Sequence, residues 1–230
     1  MNNFFIDSAY FGIMISLVSY GVGWILNKKT GKAIFNPLLI SVILTIIVLA
    51  VGHIGYDVYY SGAKYLNWLL TPATVCLAIP LYEKIDVLKS NWKAIAAGII
   101  SGVLASLVFV LAISAIFGLT HAEYVTFLPK SITTAIGMGV TEELGGYTDL
   151  TAAVIIVTGI LGNLLAPVLC KLFRITEPVA KGIAIGTSSH AMGTAKAMEM
   201  GEVEGAMSSL SIAIAGLLTV IGASIFAKIY

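Results

Sequence analysis

The sequence predicts an all-α polytopic membrane protein with about seven spans plus re-entrant or broken helices; composition, length and the run of apolar segments predict it. Of 230 residues, 58% are hydrophobic and 11% are charged, whereas ordinary globular domains carry roughly 25% charged residues. The mean hydropathy is +0.97. A helical span needs about 20 apolar residues, so we expect no separate soluble domain. This excludes a nucleic-acid-binding domain, a dinucleotide-binding enzyme fold and a secreted disulfide scaffold.

Apolar runs predict five full spans. The first lies near an N-terminus without a basic leader, so we expect a retained span rather than a signal peptide. Another apolar stretch, residues 66–82, contains Pro72 and Pro80 and is predicted to be broken or kinked near Thr71. The full spans are placed at about 8–26, 36–55, 94–118, 150–172 and 204–228.

Two segments between strong spans are too polar to face lipid. Residues 129–147 and 183–201 each combine glycines, hydroxyl side chains and carboxylates. Polar or irregular backbone survives at membrane depth only where protein or a watery cavity covers it. Both segments are therefore predicted to be re-entrant or discontinuous helices.

Basic residues predict the orientation. Under the positive-inside rule, three basic loops lie in the cytoplasm and the N-terminus lies outside the plasma membrane. An even number of crossings must separate these loops. Residues 129–147 must then enter and leave from the outer side, and residues 183–201 from the cytoplasmic side. The three clusters are Lys28, Lys29 and Lys32; Lys84, Lys89 and Lys93; and Lys171, Arg174 and Lys181.

The two polar segments, each with the span that follows it, align at an offset of 56 residues. The apolar composition alone could produce these identities. The stronger argument for a repeat is that the two polar segments enter the membrane from opposite sides, so the two copies are predicted to be inverted. Inverted repeats with broken helices meeting near the midplane are typical of secondary transporters. We therefore predict one integral membrane domain over residues 1–230, with hairpin-plus-span repeats at about 129–172 and 183–228. The identical pairs are Gly137 with Gly193, Glu143 with Glu199, Gly145 with Gly201, Ile156 with Ile212 and Leu161 with Leu217.

The helix breaks are the predicted binding site for a small carboxylate. A helix that begins inside the membrane presents unpaired N–H groups and a partial positive charge, and Ser or Thr hydroxyls there can donate to an anion. The alternative is that the hydroxyls only satisfy carbonyl groups freed by the breaks. The predicted substrate-binding residues are Thr71, Thr74, Thr133, Thr134, Asn163, Ser188, Ser189, His190, Gly193 and Thr194.

Three of the titratable residues are candidates for ion coupling. His190 either donates to substrate or carries a proton, since its unperturbed pKa is about 6.5, or it packs as a neutral side chain against a backbone carbonyl. Glu143 and Glu199 are coupling carboxylates if they lie inside the membrane, and solvated groups if they lie in interfacial loops. Coupling to H⁺ or Na⁺ is thus left open. Asn163 either contacts substrate or joins helices.

No enzyme active site, metal site or cofactor is predicted. Neighbours in a helix point about 100° apart, so Ser189 and His190 do not face each other as nucleophile and base. The sequence has no HExxH, CxxC or P-loop motif. Cys76 and Cys170 each lie in an apolar run without a nearby partner.

Several motifs resemble the LrgB/CidB family of antiholin-like membrane proteins, and the resemblance covers nearly the whole chain. The stretch IGTSSHAMGTA at 185–195 is the most specific. Ala135 departs from the pattern, because many relatives carry a proline there. The other motifs are LTPATV at 70–75, KSITT at 130–134 and EELGG at 142–146.

The resemblance implies an antiholin-like regulator of murein hydrolases and programmed cell death that works with a smaller LrgA/CidA-type membrane protein. It extends to the plastidial glycolate/glycerate translocator and to bacterial pyruvate uptake systems. We therefore expect a homo-oligomeric secondary transporter of small monocarboxylates of the pyruvate, glycolate or glycerate type. The alternative is the antiholin-like regulator, and no nucleic-acid partner is expected.

Overall fold

The computed structural model describes residues 10–30, 35–76 and 78–230. These residues form helices and connecting turns, and no strand occurs among them. The chain divides into two compact units, Met1–Cys76 and Leu77–Tyr230. Four of the described helices are long and apolar enough to cross a membrane. The predicted all-α membrane architecture is confirmed.

In the first unit, α1 packs against α2 and α3. Pro37 occupies the first turn of α2, and the side chain of Asn36 accepts hydrogen bonds from the next two free N–H groups, an arrangement that favours a helix start. Lys32, which belongs to the first basic cluster, lies outside the described residues. The helices are Phe11–Thr30 (α1), Pro37–Val51 (α2), Tyr56–Trp68 (α3) and Leu70–Cys76 (α4).

Helix α3 lies where the sequence predicts no span, because Asp57 and Lys64 make its segment too polar for lipid. It is held against α1 by close packing: Gly12 meets the backbone of Tyr59, and the Ser16 hydroxyl lies 2.8 Å from the Tyr59 hydroxyl. The boundary between α3 and α4 falls beside Thr71, where a break is predicted.

The second unit is built around α6, a helix of 33 residues that is about 50 Å long. It begins at Ile85 rather than at residue 94, since polar turns containing Asp86 and Lys89 extend the helix beyond its apolar run. It ends at Gly118, whose φ of 62° is a left-handed conformation that suits glycine. The helices are Ala78–Glu83 (α5), Ile85–Phe117 (α6), His121–Phe127 (α7), Thr134–Glu143 (α8), Thr148–Leu172 (α9), Pro178–Met200 (α10) and Glu202–Phe226 (α11).

Two charged side chains fix helix ends in this unit. The Glu123 carboxylate accepts hydrogen bonds from the hydroxyl and from the N–H of Thr120 at the start of α7. These bonds, the one from the hydroxyl first, hold the pKa of Glu123 below its usual value. Lys84, before α6, pairs with Glu202 at the start of α11 at 2.6 Å, which raises the pKa of Lys84. The pair brings the starts of α6 and α11 to the same end of the unit.

Helices α7 and α8 form the first hairpin. Residues 128–133 reverse the chain, and α8 then runs back alongside α7, so that Gly137 meets Pro129. Helix α9 reverses the direction again, because the Thr151 hydroxyl donates to the Thr141 hydroxyl at 2.9 Å while Ile155 meets Gly137. The hairpin begins at His121, eight residues before the expected start at 129.

Helix α10 forms the second hairpin because it breaks at His190, where φ is 42° and ψ is −142°. A Cβ on Gly193 would lie 2.9 Å from Cγ2 of Ile185, although eight residues of unbroken helix would separate them by about 12 Å. The chain therefore folds back at His190. We call residues 178–189 α10a and residues 191–200 α10b.

The direction of each helix follows from its contacts. Helix α11 runs parallel to α10a, because Gly182 meets Glu204 and Gly186 meets Ser208. Helix α9 runs antiparallel to α10a, because Gly162 meets Ser189 whereas the later Ala166 packs with the earlier Ile185.

The two copies of the repeat are therefore inverted, since α9 and α11 run in opposite directions. A shift of 56 residues carries α8 onto residues 190–199 and α9 onto residues 204–228, which are nearly the positions of α10b and α11. The offset found in the sequence thus pairs helices of similar length in the two segments.

The helix directions make a prediction about the two ends of the second unit. In a variant without the native cysteines, Lys89→Cys and Arg174→Cys should react with an impermeant thiol reagent from one side of the membrane, and Asp149→Cys from the other. The positive-inside rule makes the first side cytoplasmic. Labelling of Lys89→Cys and Arg174→Cys from opposite sides would rule out the hairpin between them.

Candidate functional site

Both hairpin tips rest on one face of α6. Gly98, Gly102 and Ser106 recur every four residues and so share that face. A Cβ on Gly102 would lie 2.8 Å from the hydroxyl of Thr187, in the second hairpin. One turn further, the Ser106 hydroxyl lies 3.2 Å from the hydroxyl of Ser131, in the first hairpin. The tips thus reach α6 about 6 Å apart along its axis, near its middle.

The imidazole of His190 closes the break in the second hairpin. The residue is only 3% exposed, and its Nε2 lies 3.0 Å from the carbonyl oxygen of Ile155. Since a carbonyl oxygen only accepts, Nε2 must carry the hydrogen, and Nδ1 is the nitrogen that can take another proton. This is the packed arrangement considered as an alternative for His190, and protonation at Nδ1 would leave the bond to Ile155 intact.

Two glycines of α9 make room for the second tip. A Cβ on Gly159 would lie 2.7 Å from the imidazole of His190, and a Cβ on Gly162 would collide with Ser189. Helix α9 can therefore approach the break closely only because these positions lack side chains.

The predicted hydroxyls of the second hairpin bond mainly within the protein. The exposed Ser188 hydroxyl donates to the Ala184 carbonyl at 2.7 Å and lies 3.0 Å from the buried Ser189 hydroxyl. The Thr194 hydroxyl donates to the His190 carbonyl at 2.9 Å.

Asn163 and Gly193 also support the fold of this hairpin. The Asn163 amide donates to the carbonyl of Met192 at 2.7 Å, so this side chain joins α9 to α10b. Gly193 packs against Ile185. Near the break, these two predicted site residues therefore act on the protein's own backbone. Asn163 satisfies a carbonyl group, and Gly193 packs over the preceding helical segment.

The first tip is the more open of the two. Thr133 and Thr134 are half-buried at the start of α8, and the Thr133 side chain makes no capping hydrogen bond. Beside them, the ammonium of Lys130 donates to the Ser131 hydroxyl at 3.0 Å. The Lys130 ammonium and the start of α8 at Thr134 thus belong to the same turn between α7 and α8.

The other predicted site residues lie away from the two tips or outside what is described. Glu143 and Glu199 are exposed at the far ends of their hairpins, and Glu199 pairs with Lys196 at 2.7 Å. Thr71 and Thr74 belong to α4 in the first unit, and their side chains lie outside the described part of the chain.

Sequence reasoning missed Lys130, to which it gave no role in the site although the residue opens the KSITT stretch. Lys130 is half-buried, and none of the ion pairs among the described residues includes it. The available signal was its position directly before the hydroxyls of a segment too polar for lipid. Glu204 was missed too: it is 7% exposed and lies 3.6 Å from Lys181.

Two cavities line α6 on either side of the contact between Ser106 and Ser131. A groove of about 630 Å³ runs between α6 and α10a, from the level of Asn91 and Glu177 to that of Ala105 and Thr187. A pocket of about 340 Å³ lies along the second half of α6, with Lys130 in its lining. The level at which the tips meet α6 is therefore flanked by open space on both sides.

The model of the LrgB-like family matches residues 16–229. The chain belongs to the LrgB-like family. The antiholin-like protein LrgB of Bacillus mycoides strain KBAB4 is 39% identical to this LrgB-like chain over 92% of its length and 93% of the relative's. The protein of the same name from Bacillus cereus strain B4264 is 38% identical over the same shares. No solved structure matches.

The match places the candidate site within the shared region of the LrgB-like family. Residues 16–229 include α6 and both hairpins, so the candidate site lies within the matched range. The family and the apolar helices together make this LrgB-like chain a multi-pass membrane protein.

The close approach of α9 to the second tip can be tested at Gly162. Gly162→Ala should destabilise the protein by about 1–3 kcal/mol, the usual effect of overpacking, because the new methyl group collides with Ser189. Unfolding of the purified protein in detergent would measure this. Gly139→Ala is the matched control, since a Cβ there meets nothing within 4 Å; it should be neutral or slightly stabilising. Equal losses in the two variants would contradict the packing argument.

Proposed function

We propose that this protein is a secondary transporter of small monocarboxylates. The observation that carries the proposal is the meeting of two opposed hairpin tips on α6, with the Lys130 ammonium beside the Ser131 hydroxyl. A carboxylate beside Lys130 would accept a hydrogen bond from the ammonium. The start of α8, four residues further along the chain, carries the partial positive charge of a helix N-terminus, which also favours an anion.

The flanking cavities support a carrier. Transporters with inverted repeats expose a central site to one side of the membrane at a time. Here a groove approaches the tips from the end of α6 that holds Asn91, and a pocket approaches from the end that holds Phe117. Movement of one hairpin relative to α6 would widen one cavity and narrow the other.

Lys130 provides the first test. In proteoliposomes, uptake of labelled pyruvate, glycolate or glycerate should fall about 10- to 100-fold in Lys130→Gln, because a hydrogen bond to a charged group is worth about 1.5–3 kcal/mol. Lys130→Arg keeps the charge and should retain part of the activity. Lys196→Gln is the control, since Lys196 pairs with Glu199 at a hairpin end. Unchanged uptake by Lys130→Gln would remove Lys130 from the site.

The coupling role of His190 provides the second test. His190→Gln keeps an N–H donor for the Ile155 carbonyl but cannot bind a proton near neutral pH. If His190 carries the coupling proton, this variant should fold normally, as judged by size-exclusion chromatography, and lose the pH dependence of uptake. A variant that keeps both the wild-type rate and the pH dependence would show that the proton is carried elsewhere.

The names of the relatives favour a second candidate function. Proteins that are 38–39% identical to this chain are called antiholin-like, so the chain would regulate murein hydrolase activity and cell lysis together with a holin-like LrgA/CidA-type partner. A lysis phenotype can also follow from altered carboxylate flux, and the two candidates are compatible in that case.

The two candidates differ in what a transport-defective variant does in cells. A strain lacking the gene would be complemented with wild type, Lys130→Gln or Lys196→Gln, and the rate of autolysis measured with and without the small partner. If lysis control depends on transport, Lys130→Gln fails in both assays. A Lys130→Gln protein that has lost uptake but still controls lysis would favour direct regulation.

A further inference from the structure

The pocket beside Lys130 is lined mainly by apolar side chains. Its volume of about 340 Å³ lies near the lower end of the range for small-molecule sites, about 300–1,000 Å³. Two of its lining residues are polar, Lys130 and Ser114. The remaining lining residues are apolar: Phe109, Val110, Ile113, Phe117, Leu119 and Phe127. A ligand filling it would place one anionic group on Lys130 and an apolar group against the rest.

The depth of Lys130 in the membrane distinguishes between two possible ligands of the pocket, a small free acid and a membrane lipid. Lys130 bonds Ser131, which contacts α6 at Ser106. Ser106 is eleven residues from the end of α6 at Phe117, which corresponds to about 16 Å, or half of a hydrocarbon core about 30 Å thick. A phospholipid keeps its head group at the interface, so it cannot place that group on Lys130 with its chains turned back toward Phe117. A small free acid can.

We infer that the substrates are monocarboxylates with an apolar chain, such as branched 2-oxo acids of five or six carbons, in preference to hydroxylated acids and dicarboxylates. The inference rests on the proposed function, because it assigns the substrate class of the same Lys130 site. The carboxylate lies on Lys130 and the alkyl group lies along α6 between Phe109 and Ile113. A second carboxylate or a row of hydroxyls in this pocket would lose hydration and find, apart from Lys130, only the Ser114 hydroxyl as a partner.

The preference is measured by competition. Proteoliposomes would take up labelled pyruvate while unlabelled pyruvate, 4-methyl-2-oxopentanoate, glycerate and malonate compete. Each methylene buried in an apolar site improves binding about fourfold. Because 4-methyl-2-oxopentanoate has three more carbons than pyruvate, it should compete up to about 60-fold better when all three are buried. Glycerate and malonate should compete less well than pyruvate.

A matched pair of variants tests the pocket itself. Ile113→Ala removes part of the apolar lining and should reduce the advantage of 4-methyl-2-oxopentanoate at least threefold, with a smaller effect on pyruvate. Ile116→Ala is the control, because Ile116 lies on the same helix, is 75% exposed and does not line the pocket. Equal effects of the two variants would overturn the assignment.

A binding measurement separates failure of this inference from failure of the proposed function. Thermal stabilisation of the detergent-solubilised chain by each acid reports binding without transport. Pyruvate uptake in which glycerate competes as well as 4-methyl-2-oxopentanoate would overturn the inference and leave the transporter standing. If no acid is taken up but 4-methyl-2-oxopentanoate stabilises the chain more than glycerate does, the transporter fails and the pocket's ligand class stands. If there is neither uptake nor selective stabilisation, the inference and the proposed function are both overturned.

Discussion

A helix that stops half-way through a bilayer leaves backbone groups that lipid cannot satisfy, and this constraint organises the second unit. At His190 the interruption is enclosed by α6, α9 and α11. Each of these helices approaches closely through a glycine on one side or the other of the contact, as at Gly102, Gly162 and Gly186. Several polar side chains near the break serve the same end, because they bond backbone carbonyl groups. The hydroxyls and the histidine are therefore part of what allows the break to exist.

The sequence was sufficient for the architecture because polarity and periodicity act over long segments. Residues 129–147 and 183–201 could not face lipid, so hairpins followed from solvation alone, and the basic loops required them to open on opposite sides. The break in the second hairpin was expected near His190, whereas the backbone conformation that forms it was not. The side-chain type of His190 does not predict its positive φ. Packing of the residue against Ile155 and Gly159 holds its backbone in that conformation.

The candidate site was harder to predict than the fold, because a residue's role there depends on its neighbours in space. Ser188, Ser189 and Asn163 look like ligand-binding groups in the sequence, yet they form hydrogen bonds within the protein. Ser188 and Ser189 bond within their own helix, and Asn163 bonds Met192. Lys130 looks like an ordinary loop cation, yet it lies beside Ser131 at the point where two hairpins meet. No pattern along the sequence predicts that the two hairpin tips lie close together, because α6 brings together residues far apart in the chain.

The inverted copies share a path through the membrane but not their chemistry. At the tips, one copy presents a lysine and a threonine pair, while the other presents a histidine bonded to a carbonyl. In a carrier assembled from unequal halves, the two-fold axis that relates inverted repeats does not interchange two identical facing states. Its affinity for an anion therefore differs between the two sides of the membrane. Detailed balance then requires the equilibrium between the two facing states to differ, by the same factor, between the empty and the anion-bound protein. Such a carrier saturates at different concentrations in influx and efflux, and only an ion gradient lets it accumulate its solute.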